Sequence, residues 1–392
     1  MSKMKVVFRA DASLQIGTGH VMRCLTLADA LAARGTNCQF ICREHPGNLI
    51  EQIRNKGYIV HALPAHAEPV GASSLAIKAV SDEQAPAHSR WLGATQSQDA
   101  EACATTLAEL QPDWLIADHY ALDARWERAL KSHYQKLMVI DDLADRSHLC
   151  DLLLDQTFGR DAEDYRAWVP AHCQLLCGSH YALLRPEFAA LRPYSLQRRA
   201  EPQLRQLLIT MGGVDKDNAT GQVLEALRSC PLPADCRITV VMGATAPWLA
   251  EVERVAHDMP WSTQVEVGAK DMAQLMADSD LAIGAAGATS WERCCLGLPT
   301  IMLVVADNQF KVAEGLERAG AAVIVTKERR IQEQLSESLT SLLTEATKLR
   351  SISEASAAIV DGEGVNSVLN AMEILYARTL CDACAQNGGA RP

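Results

Sequence analysis

"RADASLQIGTGHVMRCLTLADALAARG", residues 9–35, decides how the chain is to be read. It follows a short β-rich run, "KVVFRA", and sets a glycine turn at Gly17 and Gly19 directly before an apolar periodicity. Val21, Leu25, Ala28 and Leu31 or Ala32 recur at helical spacing, and Gly35 supplies a stop. Strand, glycine turn and amphipathic helix in that order open a parallel α/β unit. His20 stands at the mouth of the helix. Its local sequence leaves two readings open, a reactive imidazole beside a phosphate-binding turn and a histidine that only bonds its own loop.

Farther along, "CQFIC", "YIVHALP", "WLIADHY", "KLMVIDDLAD" and "DLLLDQT" read as strands, with helices "PGNLIEQIRNKG" and "ALDARWERALKSH" among them. Such alternation implies a mostly parallel sheet, whose sites lie at the carboxyl ends of strands. Asp11, His20, Asp118 to Tyr120, and Asp141 with Asp142 all fall there. Asp141 and Asp142 are neighbours on a strand and point to opposite faces, so they are expected to support a loop rather than share one bond. The polar, proline-flanked "PYSLQRRAEPQL", residues 193–204, reads as a linker. After it the cycle restarts, from "QLLITMGG" to "AAVIV". The expected architecture is α/β with two Rossmann-like domains, residues 1–195 and 203–378, their parallel sheets facing an interdomain cleft. Residues 379–392 are expected to be a flexible tail.

A chain of 392 residues exceeds the size at which single cores usually divide, in keeping with two domains. Its net charge of -11, with no long basic cluster, argues against nucleic acid as a partner. "MSKMKVVFRA" fits neither a signal peptide nor a membrane span, so a cytoplasmic protein without membrane insertion is expected. Thirteen scattered cysteines suggest free thiols, and the single close pair, Cys381 and Cys384, lacks the second ligand pair that zinc would need. Cys294 and Cys295 read as small buried side chains.

Three glycine-bearing strand-to-helix junctions recur: "IGTGHVMRC", "TMGGVDKDNAT" and "GAAGATSWERC". Backbone N–H groups exposed at such turns, together with a helix N-terminus, suit a diphosphate. Each alone is weak, because glycines at these turns are common for conformational reasons alone. The chain lacks both the dinucleotide glycine spacing and a Walker lysine, which excludes a nicotinamide enzyme and a P-loop ATPase. Glu292 could accept two ribose hydroxyls or simply complement a helix dipole. Asn308 and Gln309 follow a buried strand, where amides read ligands or merely cap turns. Arg23 could pair with a phosphate or with Asp11. The other histidines, including His119, carry no comparable signal.

Taken in order, "RADASLQIGTGHVMRCLTLADAL", "ADHYALD", "VIDDLADR", "GSHYALLRPEF", "ITMGGVDKDNAT" and "GATSWERCCLGLPTIMLVVADNQ" resemble the UDP-sugar hydrolases of pseudaminic acid biosynthesis over about residues 4–372. That family is similar to the GT-B glycosyltransferase that adds N-acetylglucosamine to the peptidoglycan lipid precursor. The resemblance implies a GT-B fold and hydrolysis of UDP-2,4-diacetamido-2,4,6-trideoxy-β-L-altropyranose to UDP and the free sugar, with inversion and with neither metal nor cofactor. It implies that His20 assists the attacking water. It also implies that Glu292 holds the ribose, that Gly212, Gly213 and Gly287 with Thr289, Ser290 and Gln309 hold UDP, and that Asp11, Gly17, Gly19, Arg23, Tyr120 and Asn308 line the sugar side. "YALLRPEF" has no role assigned beyond the interdomain region.

The chemistry is consistent with one base. UDP leaves as a stable anion, so a general acid is less needed than in an ordinary glycosidase, and a neutral imidazole suits proton abstraction near neutral pH. Three alternatives use the same architecture: a glycosyltransferase with an acceptor hydroxyl in place of water, a 2-epimerase, and a non-catalytic nucleotide-sugar binding protein. The oligomeric state is not legible.

Overall fold

The computed structural model describes residues 3–65, 86–306, 309–326 and 330–388. The chain divides into two compact units, one formed by residues 1–156, 160–177 and 365 onward, the other by 157–159 and 178–364.

The first unit contains β1 (Lys5–Ala10), α1 (Gly19–Ala33), β2 (Asn37–Arg43), α2 (Ile50–Asn55), β3 (Ile59–Leu63), α3 (Gln96–Leu110), β4 (Trp114–Asp118), α4 (Ala124–Ala129), β5 (Lys136–Ile140), β6 (Leu152–Asp155) and β7 (Gln174–Cys177). Among the described residues its seven strands run in the order β3-β2-β1-β4-β5-β6-β7, each pair parallel. The strands are nearly continuous apolar runs because both faces of a parallel sheet are covered. Helix α1 buries Val21, Leu25, Ala28 and Leu31, each large side chain contributing about 1.5–3 kcal/mol. The chain stops at Gly35, whose φ is +86°. Helix α3 starts at a full capping box, in which Thr95 and Gln98 satisfy each other's backbone N–H groups.

The second unit contains α5 (Pro186–Arg198), β8 (Gln206–Thr210), α6 (Ala219–Leu227), β9 (Arg237–Met242), α7 (Leu249–His257), β10 (Ser262–Val267), α8 (Met272–Asp278), β11 (Leu281–Ala285), α9 (Thr289–Cys295), β12 (Thr300–Leu303), α10 (Phe310–Arg318), β13 (Val323–Val325), α11 (Ile331–Thr344) and α12 (Ala346–Ala357). Its six strands are again all parallel, in the order β10-β9-β8-β11-β12-β13. Apolar clusters cover both sheet faces, one with Val223, Ile238 and Ile283, the other with Phe188, Leu208 and Met302. In each unit the strand order reverses once, between β1 and β4 and between β8 and β11. Ligand sites of open parallel sheets form at such reversals.

Two expectations are corrected. Residues 193–198, read as linker, belong to α5. Pro186 opens that helix where a missing N–H costs nothing. Arg192, Ser195 and Arg199 then tie it to the second unit, donating to the carbonyls of Ala357 (2.7 Å), Leu296 (2.7 Å) and Ser279 (2.8 Å), and these bonds override the proline signal. The chain instead crosses between units around residues 156–160, 177–178 and 364–365, so the boundaries 1–195 and 203–378 do not hold. Residues 379–388 of the expected tail are helical, because α13 (Gly364–Gly388) continues through them, and residues 389–392 lie outside the described residues. No proline or glycine interrupts residues 365–387. Among the described residues, no helix is long and apolar enough to cross a membrane.

Candidate active site

In the first unit β1 and β4 pair in register, Ala10 beside Asp118, so the loop after β1 starts next to the end of β4. Residues 13–17 close on themselves, Gly17 N–H donating to the Ser13 carbonyl at 2.8 Å. Gly17 has φ +79°, a conformation that disfavours any side chain. The closed loop delivers the chain to Gly19, the first residue of α1, whose first turn has neither a side-chain cap nor an acidic residue.

His20 is thereby carried onto Asp118, with Nδ1 2.5 Å from Oδ1. Asp118 is fully buried. Burial works to raise its pKa, but the Arg23 guanidinium and then His20 outweigh it and hold the carboxyl well below its ordinary range. An ionised carboxylate only accepts, so Nδ1 of His20 carries the proton of this contact, and in the neutral imidazole the lone pair lies on Nε2. Among the described residues nothing hydrogen-bonds that Nε2. Arg23, one turn later, forks onto Asp118 through Nε (2.6 Å) and Nη2 (2.7 Å), and reaches Asp142 through Nη1 (2.7 Å). The Tyr120 hydroxyl donates to the same Asp142 oxygen at 2.6 Å, and its ring meets the His20 ring edge-on at 4.5 Å between centroids. His20, Asp118, Arg23, Asp142 and Tyr120 form a closed circuit.

Arg23 therefore pairs with Asp118 and Asp142, not with Asp11. Asp142 belongs to the circuit rather than only supporting a loop, whereas Asp141 does support one, accepting from Ala144 N–H (2.9 Å) and Tyr165 (2.9 Å). Asp11, expected on the sugar side, is fully buried. Its Oδ1 accepts from Arg9 and from the Arg43 backbone N–H, both at 2.7 Å, and its Oδ2 lies 3.4 Å from His119 Nε2 and 3.6 Å from His45 Nε2. The Arg9 and Arg43 guanidiniums converge on Asp99 at 2.7 and 2.6 Å, and Trp126 donates to it as well. A buried ionic layer thus underlies the loop that carries His20. His119 is buried with Nδ1 accepting from Ala121 N–H at 3.0 Å, and burial pulls its pKa down.

In the second unit both glycine loops leave adjacent strand ends. Gly212 and Gly213 follow β8 and are exposed, and Gly287 follows β11 and is half-buried. The N-terminus of α6 is not open to a ligand as expected. Asp215 accepts from Ala219 and Thr220 N–H at 2.8 Å each, and Asn218 accepts from Gly221 N–H at 3.0 Å. After β11, Arg293 is buried beneath its own loop. It donates to the Ala285 carbonyl (2.7 Å), the Ser290 hydroxyl (3.2 Å) and the Thr289 hydroxyl (3.4 Å). A Cβ added to Gly284 would come within 2.3 Å of the guanidinium, so β11 needs glycine there. Ser290, expected to contact UDP, is 1 % exposed and is engaged by Arg293. Gln309 follows the modest reading, since its carbonyl accepts from Val305 N–H at 3.0 Å and caps the turn. Asn308 lies outside the described residues.

Glu292 is half-buried, its Oε1 3.8 Å from Arg185. Burial raises its pKa to about 7, against the pull of Arg185 and then Arg293, and Glu187 adds to the rise. Arg185 precedes α5 within "YALLRPEF" and also meets Glu187 at 3.1 Å. That motif therefore places a cation beside Glu292. Sequence reasoning set Asp118 at a strand end without giving it a role, and it missed Arg293. Each has one signal, a lone charge closing the apolar run "WLIAD" and, in "WERCC" on α9, a cation directly before two cysteines. The cysteines whose side chains are described are all free, Cys294 and Cys295 buried among them. Among the described residues, no group of three His, Cys, Asp or Glu side chains is placed to hold a metal ion.

Residues 207–367 match the glycosyltransferase family 28 C-terminal domain. The UDP-2,4-diacetamido-2,4,6-trideoxy-beta-L-altropyranose hydrolase of Campylobacter jejuni is 26% identical over 321 residues, 82% of this chain and 98% of that protein. A UDP-N-acetylglucosamine--N-acetylmuramyl-(pentapeptide) pyrophosphoryl-undecaprenol N-acetylglucosamine transferase of Hahella chejuensis is 37% identical over 105 residues, 26% of this chain and 29% of that one. The crystal structure of MurG from Acinetobacter baumannii superposes with a TM-score of 0.65 at 16% identity, covering 95% of this chain and 99% of that one. The chain is thus a GT-B protein of two Rossmann-like domains, related to the altropyranose hydrolase and carrying a glycosyltransferase family 28 C-terminal domain.

Proposed function

We propose that the chain hydrolyses a UDP-sugar, UDP-2,4-diacetamido-2,4,6-trideoxy-β-L-altropyranose, to UDP and the free sugar in pseudaminic acid biosynthesis. The observation that carries the reading is His20, with Nδ1 bound to a buried carboxylate and Nε2 without a hydrogen-bond partner among the described residues. The relation to the Campylobacter hydrolase supports the substrate. In this reading water approaches the anomeric carbon opposite the diphosphate, and Nε2 takes its proton as the carbon gains oxocarbenium character. Asp118 holds the imidazole in the productive tautomer and stabilises it once charged. UDP departs without needing an acid, and the displacement inverts the anomeric centre. Glu292 receives the ribose hydroxyls, and Gly212, Gly213 and Gly287 offer backbone N–H groups to the diphosphate. Thr289, Gly17, Gly19 and Tyr120 keep their expected ligand roles as part of this proposal.

The test is release of UDP and sugar without added metal, followed by proton NMR to identify the first anomer formed. The wild type is expected to turn over, with the anomer of opposite configuration appearing first. His20→Ala is expected to lose about 10²–10⁴-fold in kcat while still binding UDP, and Asp118→Asn to lose less. No free sugar from the wild type would sink hydrolysis of this substrate. An altered UDP-sugar would then indicate an epimerase, and sugar found on an acceptor a transferase.

A further inference from the structure

Arg293 lacks the carboxylate partner of most buried arginines, a lack it shares among the described residues with Arg199, whose guanidinium donates to the carbonyls of Ser195, Met276 and Ser279 beside α5 and α8, away from the glycine loops. Arg9, Arg23 and Arg43 each lie within 2.7 Å of a carboxylate oxygen. Arg293 is 1 % exposed and, among the described residues, forms no ion pair. Its Nε donates to nothing within the described protein. Burial draws its pKa down to about 10, so it remains charged at neutral pH. A buried charge without a counter-charge is costly, and an apolar side chain of similar volume is often tolerated as well or better. Its position suggests what the charge serves. A Cβ at Gly284 would touch both the guanidinium and the Thr210 carbonyl, at 2.3 and 3.0 Å, and Gly284 pairs in register with Thr210. The charge therefore lies at the carboxyl ends of β8 and β11, the two strands from which the glycine loops leave.

We propose that Arg293 is a positioning residue for the diphosphate of the nucleotide sugar, fixing the Ala285–Ser290 loop through its three hydrogen bonds and placing a positive charge under both glycine loops. The proposal rests on the UDP-sugar reading. The two helices that follow the glycine loops supply little of that field. Asp215 occupies the N-terminus of α6, and α9 has only seven residues. With Arg293 shielded from solvent, its attraction for an anion acts through protein and is weakly screened by salt.

The test compares UDP with uridine, which lacks the phosphates, on the full-length wild type, Arg293→Gln and Arg293→Lys, each checked for a wild-type-like melting transition. Calorimetry measures UDP, and ligand-observed NMR measures the weaker uridine. Arg293→Gln is expected to weaken UDP by about tenfold or more while uridine stays within about twofold, and Arg293→Lys to recover most of the UDP affinity. Equal weakening of both ligands would mean that the residue only shapes the loop, and unchanged UDP binding would remove it from the site. Either result overturns the proposal while the UDP reading stands. A wild type that binds neither ligand overturns both. Should Arg293→Gln not fold, Arg293→Met, which keeps much of the side-chain volume without the charge, is put to the same UDP-to-uridine comparison.

Discussion

The two units build similar sheets and treat charge in opposite ways. At the reversal of the first sheet every buried cation has a buried anion: Arg23 with Asp118, Arg9 with Asp11 and Asp99, Arg43 with Asp99. At the reversal of the second, Arg293 has no ion partner among the described residues, and Glu292 is held near neutrality with Arg185 only at 3.8 Å. The first arrangement is electrostatically complete within the chain and suits the job of holding one imidazole in one tautomer. In the proposed reading the second is completed by a ligand that brings negative charge and hydroxyl groups. A protein that must fix a base and also bind a dianion reversibly gains from separating the two tasks in this way.

The largest expected effect tests the completeness of the first unit. Asp99 is fully buried and receives two arginines and a tryptophan N–H. Asp99→Asn leaves those cations under-compensated, and a stability loss of about 3–5 kcal/mol is expected in chemical denaturation. A loss below about 1 kcal/mol would mean that the layer relaxes easily and that the contrast between the units is only geometric.

Why the sequence disclosed some of this and hid the rest is visible in single residues. The glycine turn and the spacing of Val21, Leu25, Ala28 and Leu31 are local, so β1 and α1 were legible, as were most strands of both sheets. His20 was legible as a residue at a helix mouth. Its partner Asp118 lies 98 positions away, and only the pairing of β1 with β4 brings them together. Asp11 carried the same strand-end signal as His20, yet the register of β2 turned it inward, onto the Arg43 backbone. Pro193 looked like a break because its helix is held by tertiary bonds to carbonyls that no local pattern announces. The N-terminus of α6, expected to face a ligand, is filled for a local reason that could have been read, since Asp215 stands four residues before Ala219 and closes its own helix.

Acid should separate the units next. Asp11, Asp118 and Asp141 are fully buried. Burial opposes their ionisation, yet their arginines prevail and hold Asp11 and Asp118 well below the ordinary carboxylate range and Asp141 at about 2. Folded values below unfolded ones give stability that is present above about pH 4 and is lost as pH falls through the folded values. Glu292 has the opposite sign, so its protonation relieves a burden in the second unit. Hydrogen exchange between pH 5 and pH 2.5 should show β1, β4 and β5 losing protection before β8 and β11. Simultaneous loss would indicate one cooperative transition and remove the electrostatic distinction.

The smallest effect sharpens the comparison most, because it has a definite sign. The Glu292 value of about 7 exceeds that of an unfolded glutamate, since burial disfavours the carboxylate more than Arg185 and Arg293 favour it. The ionised form is thus a burden that appears as pH rises from about 4.5 to about 7 and is constant above that. Glutamine does not titrate. Without nucleotide, Glu292→Gln should match the wild type at pH 5 and exceed it by about 1–3 kcal/mol at pH 8. A variant less stable at pH 8 would show instead that ionised Glu292 is a structural partner of Arg185. Nucleotide reverses the preference if the carboxylate accepts ribose hydroxyls, because hydroxyl donors favour the charged form. UDP should therefore bind the wild type more tightly as pH rises through about 7, and the Glu292→Gln protein should lose that part of the pH dependence together with affinity. The same carboxylate would then destabilise the empty unit and secure the occupied one, which is the behaviour expected of a site whose charges are completed by its ligand.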